Sequence, residues 1–357
     1  MVKKAFFIAI VFALFGGCSN SLNLLAPYKE IVSVYGILNQ DEPIQYIRIE
    51  RVFLGAQNAY ITAQNQDSVY FQSGELTVTM QRWLNGTQVS VDNPATGVME
   101  IVLTDTLMQT ATGIFNQNER VYKTSHKLYD DSQYNLIIHN NKTGKEFTAQ
   151  TGLIQNFISN LLPSTSGAPN VLLPNYSQNT PINIVPSYNG VKYCYYNSPV
   201  NAAVCGLVLR FFYTDHNGGP PTKQYVDINL GTNYTLQTLG GEKQEFDFTA
   251  STVLVNLAAL MPVISTDSRT ADSAEFILNA AGQALALYNQ VNMSTSLSQN
   301  KANYSNITGG VGVFSCVNEL KLLRNIRDPS CIDTISSSSV TCKLRIEDYG
   351  GAISPCH

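Results

Sequence analysis

Apolar and polar positions alternate with a period of two along much of this 357-residue chain, the pattern of half-buried β-strands. Residues 31–38 (Ile-Val-Ser-Val-Tyr-Gly-Ile-Leu) predict a first strand, Asn39 to Pro43 a turn, and Ile44 to Leu54 the returning strand. On the latter, Ile47, Ile49 and Phe53 share one face, and Tyr46, Arg48 and Glu50 the other. Residues 75–84 alternate too, with Leu76, Val78 and Met80 on one side and Thr77, Thr79, Gln81 and Trp83 opposite. Asn85-Gly86 then predicts a hairpin into Val89-Ser90-Val91, because a tight two-residue turn needs positive φ at both positions.

The stretch 128–151 is the most diagnostic of the first half. Leu128 and the polar loop Asp130 to Gln133 precede a strand from Tyr134 to Ile138. A turn from Asn140 to Gly144 and a last strand from Glu146 to Thr151 follow. A leucine, a polar loop and a tyrosine opening a strand resemble the tyrosine corner of immunoglobulin-like sandwiches. With about seven short strands over 26–150, an immunoglobulin-like β-sandwich is expected for residues 26–152.

Pro163, Pro174, Pro181 and Pro186 among Ser, Asn and Gly mark 153–190 as a crossover. Strands are expected at 191–196, 206–214, 225–230, 235–239, 272–279 and 311–316. Thr249 to Leu260 predicts a helix, with Thr249 or Ser251 as its cap and Pro262 as its stop, and 282–289 a second short one. The fold class is thus mainly β: the N-terminal sandwich, then a second β-rich (α+β) domain over 191–315 with about two short helices. A Cys-rich tail over 316–357 closes the chain.

The first thirty residues break the alternation. Lys3-Lys4, an apolar run from Ala5 to Phe15, and Gly16-Gly17 before Cys18 describe a secretory signal peptide over 1–17. The run is shorter than the ~20 apolar residues of a membrane-spanning helix. Leu14-Phe15-Gly16-Gly17-Cys18 resembles a bacterial lipobox, which implies that Cys18 is acylated and becomes the first residue, with 18–25 as a tether. Each acyl methylene buried adds ~0.8 kcal/mol, so several chains make a stable membrane anchor. Ser19 to Asn23 carry no charge and leave undecided which face of the outer membrane the protein occupies.

Composition narrows the functional classes. Charged residues are 13% of the chain, against a typical ~25%, and Asn, Gln, Ser and Thr supply the polarity. The formal charge of −4 becomes −6 once Lys3 and Lys4 leave with the signal peptide. Without a basic stripe, nucleic acid is excluded as a partner. Six further cysteines, Cys194, Cys205, Cys316, Cys331, Cys342 and Cys356, are an even set suited to disulfides in an exported chain. Cys194 and Cys205 are expected to pair across a short loop; the other four permit three pairings. Metal binding is the rival, although no C-x-x-C occurs and only His357 lies near.

Catalytic and cofactor patterns are scarce. His126, His139, His216 and His357 fall in no metal-binding spacing, and no G-x-S-x-G elbow occurs. Gly309-Gly310-Val311-Gly312 lacks the lysine of a phosphate loop. Asp215, Asn217 and Gly219 have the alternation of a calcium loop without its closing glutamate, so a plain turn is expected. No catalytic residue, metal or cofactor is expected. Tyr193-Cys194-Tyr195-Tyr196 and Phe211-Phe212-Tyr213 suit a β core, while Tyr195 and Tyr196 are also candidate binding aromatics, since tyrosine combines large area with a polar tip. Trp83 is a candidate for partner contact.

Several segments together resemble a Bacteroidota family of uncharacterised envelope lipoproteins. They are Ala26 to Gly36 with Gln45 to Ile49, Asn189 to Tyr193 with Leu209 to Thr214, and Tyr304 to Phe314. Members are often encoded near TonB-dependent outer-membrane receptors. The resemblance implies a lipid-anchored outer-membrane protein that binds a ligand or such a receptor, and it brings no catalytic residues. The alternatives are an envelope hydrolase whose site only the fold assembles, and a purely structural or adhesive protein.

Overall fold

The structure is a computed structural model that describes residues 31–52, 69–109, 118–157, 181–185, 191–216, 218–235, 238–264, 267–293 and 304–356. It is mainly β. The first half comprises β1 (Ile31–Asn39), β2 (Gln45–Val52), β3 (Leu76–Leu84), β4 (Thr87–Val89), β5 (Glu100–Gln109), β6 (Asn118–Thr124), β7 (Gln133–Asn140) and β8 (Glu146–Gly152). Their neighbours run β1-β2-β6-β5 and then β3-β7-β8, with β4 beside β3. These are the two pairing groups of the first half. β5 joins the two sheets, pairing β3 through 100–103 and β6 through 104–109.

Alternation places the core as expected. Val32, Val34, Ile47, Ile49, Val78, Met80, Leu136 and Ile138 are all buried in one cluster, each contributing about 1.5–3 kcal/mol of apolar burial. Asn85 and Gly86 take φ of 49° and 79°, which turns β3 back into β4. Tyr134 is fully buried, and its hydroxyl accepts the backbone N–H of Tyr129 at 3.0 Å. The corner read from Leu128 to Tyr134 is therefore present as a hydrogen bond, and burial pushes that phenol up to about 12.

The second half comprises β9 (Val191–Asn197), β10 (Ala202–His216), β11 (Thr222–Tyr234), β12 (Lys243–Thr249), α1 (Ala250–Leu260), β13 (Ser268–Gly282), α2 (Gln283–Met293), β14 (Val311–Asn325) and α3 (Pro329–Ser337). β11, β10, β13 and β14 form an antiparallel sheet. The two-stranded β9–β12 ribbon packs on it through aromatics. Phe248 of β12 sits 6.1 Å from Phe276 of β13, and within the ribbon Tyr196 stacks on Phe246 at 5.6 Å. Thr249 caps α1, accepting the Thr252 N–H at 3.3 Å while its own N–H donates to Thr252 Oγ1.

β14 belongs to both halves. Its residues 311–317 pair in parallel with β1, and 317–325 pair antiparallel with β13. The boundary expected at 315/316 thus falls inside one continuous strand. At the β1 crossing Gly312 has φ of +112°, and a Cβ there would lie 2.0 Å from the Val34 carbonyl oxygen. Only glycine fits.

Other expectations are corrected by the structure. No strand is assigned within 235–239: Thr235 follows β11, Thr238 begins a turn, and 236–237 lie outside the described residues. The tail holds a third helix, α3, capped by Asp328, whose carboxylate accepts the Cys331 N–H at 3.0 Å. Its Ser-rich sequence hid the apolar face of Cys331, Ile332 and Ile335. The tail is tied back to β13 by Arg269, which is 1% exposed. Its guanidinium donates to Asp215 Oδ1 at 2.6 Å and to the carbonyls of Pro262 and Leu344.

Cysteine pairing also differs. Cys342 and Cys356 form a disulfide, whose loop of about 15 residues constrains the unfolded chain by roughly 3 kcal/mol. Cys194, Cys205 and Cys316 are buried thiols outside any bridge. The expected Cys194–Cys205 bond is not made, and the Tyr196 hydroxyl lies at Cys205. Burial pushes the Cys205 thiol up to about 12 and that of Cys316 up to about 11.

Two outcomes follow. Gly312→Ala should lower unfolding stability by more than about 2 kcal/mol in a denaturant titration. Native protein at pH 8 should leave Cys194, Cys205 and Cys316 unlabelled by an aromatic disulfide reagent, as buried thiols are inert, and unfolding should release all three to it.

Candidate functional site

Strand alternation that buries Leu136 and Ile138 sends Gln133, Asn135 and Ile137 to the other face of the β3-β7-β8 sheet. Gln81 and Trp83 of β3, and Thr148 and Gln150 of β8, share that face. The register aligns Gln81 with Asn135, and Asn135 with Gln150. The adjacent row aligns Trp83 with Gln133 and Gly152. The result is a face of amides and hydroxyls with one indole at its edge.

The second half supplies a wall to this face. Asn201, Thr238, the start of α2 at Gln283, and Tyr304 with Asn306 stand opposite β3, β7 and β8 around a depression of about 490 Å³. A second depression of about 550 Å³ continues along Gln81, Asn135, Ile137 and Thr148, sharing Gln150 and Asn306 with the first. Asn201 has φ of +67° and donates to the Leu153 carbonyl at 2.8 Å. Gly152 accommodates it, since a Cβ there would meet the Asn201 amide at 2.7 Å. Asn306 donates to the Phe314 carbonyl at 2.7 Å and accepts its N–H at 2.9 Å, fixing the far wall to β14.

Hydrogen bonds order the face. Gln133 Nε2 donates to Gln150 Oε1 at 2.9 Å and to Asn135 Oδ1 at 3.3 Å. Trp83 Nε1 donates to Gln81 Oε1 at 3.3 Å, and Gln81 Nε2 donates to Glu100 Oε1 at 2.7 Å. Asp131 is the one carboxylate among the described residues of the groove wall. It accepts from Ser132 Oγ at 2.6 Å and Arg82 Nη2 at 3.2 Å, and the Arg82 guanidinium lies over the Tyr129 ring at 4.2 Å. Its pKa is lowered, by the Ser132 hydroxyl first, with burial opposing and Arg82 adding to the decrease.

Of the residues singled out by sequence, Trp83 lies in this groove. Tyr196 does not: it is fully buried against Phe246, so it is a core residue and not a binding aromatic. Tyr195 stands on β9 opposite Glu245, away from the groove wall. Asp215 is committed to Arg269, in place of any calcium loop, and His216 faces Thr270 Oγ1 at 3.2 Å. Cys18 lies outside the described residues. Among the described residues no group of three or more His, Cys, Asp or Glu is placed to hold a metal ion. No helix among them is long and apolar enough to cross a membrane. Gln133, Asn135, Gln150 and Asn306 were missed, although the outward amides on three neighbouring strands were their signal.

No family model matches the chain, and no curated protein matches it.

The Asp131 geometry gives a titration outcome. Its carboxyl should titrate below the ordinary aspartate value of 3.8 in a carboxyl-carbon NMR titration. Ser132→Ala should raise it back toward that value, because the largest stabilising partner of the ionised form is removed.

Proposed function

We propose that this chain is a lipid-anchored binding module of the bacterial outer membrane, held there through Cys18 and acting without catalysis. The observation that carries the binding part is the ordered, amide-lined groove with Trp83 at its edge. Ligand sites are concave and combine aromatic surface with a few well-placed polar groups. Among the described residues the groove wall offers uncharged amides and one carboxylate, which Ser132 and Arg82 keep ionised. A general acid needs the reverse, a carboxyl whose pKa is raised toward working pH.

Anchoring rests on the Lys3-Lys4, apolar run and Gly16-Gly17-Cys18 sequence, and the disulfide between Cys342 and Cys356 suits an oxidising compartment. A TonB-dependent receptor as the neighbouring partner follows from the resemblance of the 26–36, 209–214 and 304–314 segments. Whole cells producing the Cys18→Ala variant should show the protein in the soluble fraction or uncleaved. A variant that is still acylated, cleaved and pelleted with membranes would refute the anchor. A barrel protein retained on the native chain in mild detergent is the expected result for the partner, and recovery of the chain alone counts against it.

A further inference from the structure

We propose that the groove binds a short uncharged oligosaccharide laid across β3, β7 and β8, with a sugar ring against Trp83. This deepens the ligand-groove reading above and rests on it. Gln133 sets the chemistry. By donating to Asn135 Oδ1 and Gln150 Oε1, it occupies the oxygen of each neighbouring amide and turns the NH₂ group of each away from itself. Among the described residues neither of those NH₂ groups has a partner, so the protein holds fixed donors ready at two neighbouring strands. Strands lie about 4.8 Å apart, a spacing suited to successive hydroxyls on a chain of rings. Trp83 is fixed by its edge, its N–H bonded to Gln81 and Gln81 to Glu100. A large rigid aromatic held in place costs little ordering on binding.

Charge selects among ligands. The described residues lining both depressions include no Lys, Arg or His, while Asp131 and the neighbouring Glu100 are acidic. An anionic polymer would meet repulsion with no compensating cation. A cation would find Asp131 already bonded to Arg82 and Ser132. An extended peptide would bind by adding to a free strand edge, but the outer edge of β8 is engaged at Thr148, where the Thr308 N–H donates to its carbonyl at 2.8 Å. A neutral chain of polar rings satisfies the donors, the aromatic surface and the charge together.

Trp83 is the one tryptophan of the chain, so its emission reports this groove alone. The full chain purified in mild detergent is titrated with short oligomers of glucose, mannose, xylose and galactose. Oligogalacturonate and an uncharged Gly/Ser/Asn peptide run alongside, with calorimetry in parallel. At least one neutral oligosaccharide should shift Trp83 emission saturably. Gln133→Ala and Gln150→Ala should each weaken that binding roughly tenfold, the loss of a fixed hydrogen-bond array, with circular dichroism unchanged. Oligogalacturonate binding as tightly as the neutral sugars would overturn the uncharged class. Binding of the peptide alone would overturn the sugar and leave the ligand-groove reading standing. Silence from every probe, in emission and in heat, overturns both, and sugar binding unmoved by either glutamine variant overturns this site.

Discussion

The dual pairing of β14 is the constraint on which the remaining architecture depends. One strand cannot serve two sheets unless both follow its twist, so its backbone fixes how the halves meet. A buried strand must place every N–H and C=O in a ladder. β14 pairs through residues 311–317 with β1 and through 317–325 with β13, while the Asn306 amide takes up the N–H and C=O of Phe314. Contact between the halves thereby includes a main-chain ladder, to which the side chains of Asn201 and Asn318 add bonds to the carbonyls of Leu153 and Ile154. Val317 stands at the handover, and the close approach of Gly312 to Val34 sets how near β1 can come.

The groove is a consequence of that join. β8, the 304–310 segment and the start of α2 all converge on β14. Asn306 is bonded to Phe314, Leu285 donates its N–H to Ser315 Oγ, and Gly282 lies against Cys316. Neither half alone has two walls. Putting Trp83 and the Gln133 network on rigid strands fixes their geometry more firmly than a loop would.

Much of the first half was legible in the sequence, because alternation reports directly which side chains are buried. Leu76, Val78 and Met80 against Gln81 and Trp83 read correctly, as did the Asn85-Gly86 turn and the Tyr134 corner. What failed to read was long-range. The partner of β1 lies some 280 residues away, and no local pattern announces it. The Cys194–Cys205 expectation failed for a related reason: closeness in sequence does not fix the Cα and Cβ geometry that a bridge requires. The amide face was hidden by its ordinariness, since outward Gln and Asn on a strand look like solvent-facing polarity until a second half is seen to wall them in.

The parallel pairing of β1 with β14 also has a meaning in time. β1 emerges first from synthesis and offers its antiparallel edge to β2 at once. Its other edge stays open until residues 311–317 exist, when nearly the whole chain has been made. Contacts of such sequence separation carry a large loop-closure cost and form slowly. The molecule therefore cannot finish its first half before its last strand arrives, and a chain cut short anywhere before residue 311 leaves a bare strand edge, which invites association with other chains.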